Sequence, residues 1–136
     1  MDIRAAEDVI LKPNETKIIP TGIKIVVPDG YEIQVKPRSG ISLKTPLRIV
    51  NTPGTIDTGY RDEVGIIVNN SSVTNNERVY DINEKGNKQG TYIIKKGDRI
   101  AQIILNKIEK IKFVEVKEIE KIGTNRGGGF GHSGTK

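Results

Sequence analysis

The chain contains no cysteine and no tryptophan, one methionine, one histidine, four tyrosines and two phenylalanines. The missing thiols remove disulfides and thiolate metal sites, and are compatible with a reducing compartment. No apolar run approaches the roughly 20 residues that a membrane-spanning helix needs. The opening MDIRAAEDV lacks the basic start and apolar stretch of a secretory signal, so a cytoplasmic location without membrane is expected. Few rings are available to stack on bases. The formal charge of +5 is spread out, with Glu and Lys interleaved in NKIEKIKFVEVKEIEKIG. This reads as a solvated face rather than a nucleic-acid groove, leaving a smaller polyanion as the partner for the excess charge.

What is present is β pattern in 136 residues, enough for one domain and one core. TKIIPTGIKIVV, YEIQVK, LRIVNT, VGIIVNN, RVYDI, TYIIKKG, RIAQIIL and KFVEVKEI are rich in Ile and Val and are punctuated by turn residues. Pro-Asp-Gly at 28–30 and Lys-Gly-Asp at 96–98 carry tight-turn chemistry. The pattern predicts an all-β sandwich or barrel, with jelly-roll closure as one way to limit exposed edges and at most one short helix. That helix is SGISLKT, with Ser39 as its N-cap. The polar stretch VTNNERVYDINEKGNKQGTY reads as an extended surface hairpin or loop.

Four stretches carry candidate chemistry. PRSGIS, 37–42, is either a simple turn or an anion site built from backbone amides and a guanidinium. NTPGTIDTGYRDEVG, 51–65, reads as a hairpin. Its Asp57 is either an Asx-turn residue satisfying its own backbone or a carboxylate positioned as a general base. In KKGDRIAQIIL, Asp98 and Arg99 fit a turn ion pair, and Gln102 faces one side of a strand. The tail RGGGFGHSGTK is too rich in glycine for a helix or packed strand, and by default is a frayed end. No Gly-Lys-Ser/Thr follows its glycines, which excludes a Walker-type phosphate loop.

Taken in order, PRSG, N-x-P-G-T-I-D-x-x-Y-R, G-D-R-I-A-Q and R-G-x-G-F-G-x-S-G closely resemble successive signature motifs of the trimeric deoxyuridine triphosphatase (dUTPase) family. DIRAAED resembles the end of that family's first motif, so the likeness runs over essentially the whole chain. It implies a jelly-roll homotrimer whose active sites draw on several subunits, with residues 1–125 as the β domain and 126–136 as a flexible lid. It also implies hydrolysis of dUTP to dUMP and pyrophosphate with Mg2+, lowering dUTP and supplying dUMP for thymidylate synthesis.

By the same resemblance, Asp57 orients and deprotonates the water that attacks the α-phosphorus. Arg38, Ser39, Gly40 and Gln102 hold phosphates, and Asp2 lies near the hydrated metal. Asn51 and main-chain groups at Thr55, Ile56, Asp57 and Gly65 read the uracil edge, while Tyr60 packs on the deoxyribose. Phe130 stacks on uracil, and Arg126, Gly131 and Ser133 contact phosphates as the tail closes. The likeness has departures. The chain opens inside the first motif, Asp62 stands where many members have Gly, and the stretch Val73 to Tyr92 is longer than the usual connection. The related dCTP deaminases need a catalytic Glu where this chain has Ile66, Ile67 and Val68, which speaks against deamination.

Overall fold

The computed structural model describes residues 1–74, 78–84, 86–125, 127–128, 132 and 134. Among the described residues, ten strands form three antiparallel or mixed sheets. The first sheet has the order β1 (Asp2–Arg4), β10 (Arg99–Lys107), β4 (Tyr31–Pro37) and β6 (Gly54–Ile56). The second runs β2 (Val9–Leu11), β9 (Thr91–Ile94) and β8 (Val79–Asp81), and the third β3 (Thr16–Lys24), β7 (Glu63–Asn70) and β5 (Leu47–Ile49).

Period-two alternation decides which way each strand faces. In β7, Val64, Ile66, Val68 and Asn70 are buried while the residues between them are half-buried. β4 buries Ile33 and Val35, and β10 buries Ile100, Ala101 and Ile103. These side chains join Leu11, Ile19, Leu47, Tyr92 and Ile94 in one core. The two expected turns are present, each with a glycine at positive φ, +80° at Gly30 and +89° at Gly97. At the second, the Asp98 carboxylate accepts the Lys95 amide at 2.7 Å.

Among the described residues one α-helix forms, α1 (Ser39–Lys44), but its N-cap is Arg38 and no side chain caps it. Ser39 is therefore the first helical residue rather than the cap. KFVEVKEI forms no strand: residues 112–119 lie exposed outside any ladder, ahead of a 3-10 turn at Ile119–Lys121. Alternation alone does not make a strand when no edge of this chain is aligned to receive it. The polar 73–92 stretch is not a hairpin, because β8 within it runs parallel to β9. Among the described residues, no helix is long and apolar enough to cross a membrane.

Candidate functional site

The link from β6 to β7 builds a pocket. Leu47–Ile49 ends its ladder against β7, the chain turns through Val50 to Pro53, and Gly54–Ile56 pairs with β4 at Val35, Gln34 and Ile33. A Cβ on Gly54 would lie 3.3 Å from Asn51 Nδ2 and 3.5 Å from Val35, so the glycine leaves room for the Asn51 amide. Asn51, Thr55, Ile56, Tyr60 and Gly65 then line a cavity of about 230 Å³, walled by Val35, Ile49 and Val64. Its mixed lining of aliphatic side chains and polar groups suits a flat heterocycle with hydrogen-bonding edges. At Gly65 a Cβ would collide with Ile18 on the paired strand β3, which explains the glycine without reference to any ligand.

Asp57 sits on the exposed turn beside this cavity. Its Oδ1 accepts the amides of Gly59 at 2.9 Å and Tyr60 at 3.0 Å, an Asx turn that fixes the carboxylate on the backbone. Arg61 Nη1 donates to the carbonyls of Thr58 and Tyr60, both at 2.7 Å, and the Tyr60 hydroxyl donates to the Glu63 carbonyl at 2.7 Å. Glu63 then ties the turn to the sheet, because its Oε1 accepts the amides of Thr21 at 2.9 Å and Gly22 at 2.7 Å. Those amides belong to the irregular stretch of β3 between Pro20 and Lys24. Sequence reading passed over Glu63, since the donors it serves are 42 and 41 positions away.

A second group gathers where β1, β10 and the end of β4 meet. Register places Asp2 opposite Gln102 and Lys36 opposite Gln102 on the other side. Asp2 Oδ1 lies 3.3 Å from Arg38 Nε and accepts Gln102 Nε2 at 3.4 Å, while Asp2 Oδ2 lies 3.3 Å from Arg99 Nη1. Partial desolvation pushes the Asp2 carboxyl upward. Arg38, together with the hydrogen bonds from Gln102 and Arg99, outweighs it and holds the group below the usual carboxylate range. The expected Asp98–Arg99 turn pair is corrected here. Asp98 closes its own turn, and Arg99 reaches back to Asp2, whose two guanidinium partners, Arg38 and Arg99, lie far apart in the chain.

Ser39 and Gly40 are exposed on α1, and Gln102 is exposed on β10. Arg38 and Gly40 line a cavity different from the one at Asn51 and Tyr60, and no residue lines both. Arg126, Phe130, Gly131 and Ser133 lie outside the described residues. Among the described residues no group of three or more His, Cys, Asp or Glu is placed to hold a metal. The one carboxylate of the second group is Asp2, already shared by two arginines. That donor set fits a largely hydrated Mg2+ held mainly by a ligand's phosphates, and not a protein cage. On the strand after the turn, Ile66 and Val68 point into the core and Ile67 is half-buried, so no acid stands where a deaminase needs one.

The dUTPase family model matches residues 1–134. The chain belongs to the dUTPase family. The curated relatives it resembles include the deoxyuridine 5'-triphosphate nucleotidohydrolase of Clostridium novyi (strain NT), 54% identical over 70 residues, covering 52% of this chain and 49% of that protein. The enzyme of the same name from Clostridium tetani (strain Massachusetts / E88) is 43% identical over 95 residues, covering 70% of this chain and 62% of that one. The matched stretches thus span about half to three-fifths of those relatives. Among solved structures, the Staphylococcus bacteriophage 80alpha dUTPase with dUPNHPP aligns at TM-score 0.85 and 36% identity, over 98% of this chain and 85% of that one. A mutant dUTPase from phage phi11 of S. aureus, described for its coordination of a structural Mg(II) ion, aligns at TM-score 0.76 and 35% identity, over 88% of this chain and 83% of its own. The ten strands are therefore those of the dUTPase jelly roll.

Proposed function

We propose that the protein hydrolyses dUTP to dUMP and pyrophosphate in the cytoplasm, lowering dUTP and supplying dUMP. The observation that carries this reading is the cavity of Asn51, Thr55, Ile56, Tyr60 and Gly65 directly beside a backbone-fixed carboxylate, Asp57. The 80alpha phage relative binds the dUTP analogue dUPNHPP.

In this reading the Asn51 side chain and the main-chain groups of Thr55 to Asp57 and Gly65 pair with the uracil edge. Cytosine presents a donor and acceptor exchanged, leaving those groups unmatched, and rejection by this route reaches roughly 10⁴-fold. Tyr60, whose hydroxyl is anchored on the Glu63 carbonyl, packs on the deoxyribose and leaves no room for a 2′-hydroxyl. Asp57 takes a proton from the water that attacks the α-phosphorus. Its Oδ1 is held by two backbone amides, which leaves the other carboxylate oxygen to act as the base. Arg38, Ser39, Gly40 and Gln102 hold the phosphates, with Asp2 toward the hydrated metal. Bound Mg2+ would neutralise charge on the pyrophosphate leaving group.

The Asn51–Tyr60 cavity and the cavity of Arg38 and Gly40 share no lining residue, which supports a site completed by more than one copy in a homotrimer. Residues 126–136 form the lid over it, with Phe130 on uracil and Arg126, Gly131 and Ser133 on phosphates. Ordering on substrate then excludes water from the charged contacts. Exposed Ile111, Phe113, Val114 and Val116 support association, since a chain leaving these apolar groups bare gains by covering them. Pyrophosphate release from dUTP, dCTP and dTTP with Mg2+ tests the reading. Turnover of dUTP alone is expected, and its absence at micromolar enzyme would leave a nucleotide binder.

A further inference from the structure

The turn that carries Tyr60 is closed on itself. Among the described residues, the hydrogen bonds of residues 57–62 all end between Asp57 and Glu63. The Asp57 carboxylate accepts the Gly59 and Tyr60 amides, Arg61 donates to the Thr58 and Tyr60 carbonyls, and the Tyr60 hydroxyl donates to the Glu63 carbonyl. Those bonds fix the shape of the turn and leave its place over the cavity to the residues that flank it. Beyond the paired backbone of β7, the Glu63 side chain supplies that connection. Its Oε1 accepts the Thr21 amide at 2.9 Å and the Gly22 amide at 2.7 Å.

The receiving stretch of β3 is a bulge. Between the pairs Pro20–Gly65 and Lys24–Glu63, β3 spends three residues, 21–23, where β7 spends one, Val64. Gly22 takes φ +68°, which a residue with a side chain rarely adopts, and its amide and that of Thr21 converge on the one oxygen. The bulge is bolted on both sides. The buried Thr21 hydroxyl donates to the Val64 carbonyl at 2.6 Å, and the Pro20 carbonyl accepts the Ala6 amide at 2.8 Å. A carboxylate seated on two amides of a fixed bulge makes a stiff joint, and the turn cannot shift over the cavity without breaking it.

We propose that Glu63 is the residue that positions Tyr60 for discrimination between deoxyribose and ribose. The inference rests on the nucleotide reading above, in which the Tyr60 ring packs on the sugar. A ring refuses one extra hydroxyl only if it cannot retreat by the width of an oxygen atom. Tyr60 is 36% exposed, so packing by itself does not hold it there. The Glu63 joint does. The base is read elsewhere in the pocket: Thr55 stands on β6, paired with β4, and neither it nor Asn51 is bonded to Glu63. Loss of the Glu63 carboxylate therefore relaxes the choice of sugar and spares the choice of base.

The test is kcat/KM for dUTP, UTP and dCTP on the full-length wild type, Glu63→Ala and Glu63→Gln, with the thermal midpoint of each. A ratio between two substrates does not depend on the folded fraction, so a variant that is merely less stable keeps the wild-type ratios. Glu63→Ala should lower the dUTP/UTP ratio by about tenfold, inside the roughly 10²-fold by which a close-fitting pocket refuses one added hydroxyl, with the dUTP/dCTP ratio unchanged. Glu63→Gln keeps an oxygen for both amides and should restore the ratio. An unchanged dUTP/UTP ratio in Glu63→Ala, an equal fall of both ratios, or a glutamine variant as relaxed as the alanine one would each overturn the proposal. Equilibrium binding of dUMP and UMP to the same proteins reads the sugar preference without turnover. A wild type that turns over no dUTP yet prefers dUMP, with the preference lost in Glu63→Ala, removes the reaction and keeps the inference. Turnover of dUTP with the same preference in wild type and Glu63→Ala does the reverse, and a wild type with no preference for dUMP overturns both.

Discussion

Asp57 joins two roles that its sequence context alone kept apart. Its Oδ1 is committed to the amides of Gly59 and Tyr60, so the Asx turn is real, and in the proposed reaction the same turn would hold the base in place. Asp57→Asn retains an oxygen for both amides and should preserve the turn while removing basicity. We expect nucleotide binding to survive and kcat to fall by about 10²- to 10⁴-fold, the usual contribution of general-base catalysis. Steady-state pyrophosphate release together with dUMP titration checks it, and unchanged turnover places the base elsewhere. Asp57 was visible in the sequence because its bonds are two and three residues away. The role of Arg99 was not, since its partner Asp2 is 97 positions distant.

At the scale of elements, β2, β7 and the strand entering β9 are locked by a buried polar knot. Asn70 Nδ2 donates to the carbonyls of Leu11 at 3.0 Å and Gly90 at 2.8 Å, and its Oδ1 accepts the Ser72 amide and hydroxyl at 3.1 and 2.7 Å. Asn70→Ala strands these groups without water, at a cost of about 3 kcal/mol. At fixed protein concentration this should lower the unfolding midpoint by about 10 °C. A calorimetric scan with no shift would contradict it. The stretch after β8, held where Lys95 Nζ lies 2.8 Å from Asp81 Oδ2 and where the Asn87 amide donates to the Lys44 carbonyl at 2.8 Å, carries its own pH dependence. The hydrogen bond from Lys95, with those from Asn83, lowers the Asp81 carboxyl below its ordinary value. A depressed carboxylate stabilises above its unfolded pKa, near 3.9, and the contribution disappears as pH falls through the folded value. Protection against hydrogen exchange, measured relative to the intrinsic rate at each pH, should fall at residues 81–84 and 86–87 below about pH 4, and Asp81→Asn should lower it at neutral pH as well. The turns at Gly30 and Gly97 and the alternation of β7 were legible because those signals are local. The parallel pairing of β8 with β9 was not, because it is chosen by which edge remains open after the other strands have paired.

For the molecule as a whole, the proposed reaction makes assembly part of the chemistry, since the Asn51–Tyr60 cavity and the cavity of Arg38 and Gly40 share no lining residue. Light scattering on a sizing column should give a trimer, and a monomer would leave the two cavities unjoined. Deleting residues 126–136 should keep that trimer and its melting profile, because the described core ends at β10. It should reduce dUTP turnover by at least about 10²-fold by removing water exclusion and phosphate contacts. Full activity in the truncated protein would reduce the tail to a frayed end.

By itself the sequence determined the all-β character, the turn positions and the order of the motifs. Each of these depends on neighbours a few residues apart, through alternation, glycine at positive φ and short side-chain-to-backbone bonds. Tertiary structure alone decided that 112–119 stays outside the sheets, that Glu63 anchors the Tyr60 turn on β3, and that Arg4, Lys44 and Arg99 face one hollow. Those outcomes depend on which distant backbone groups remain unpaired once the core has closed, and chain-local preference carries no information about that.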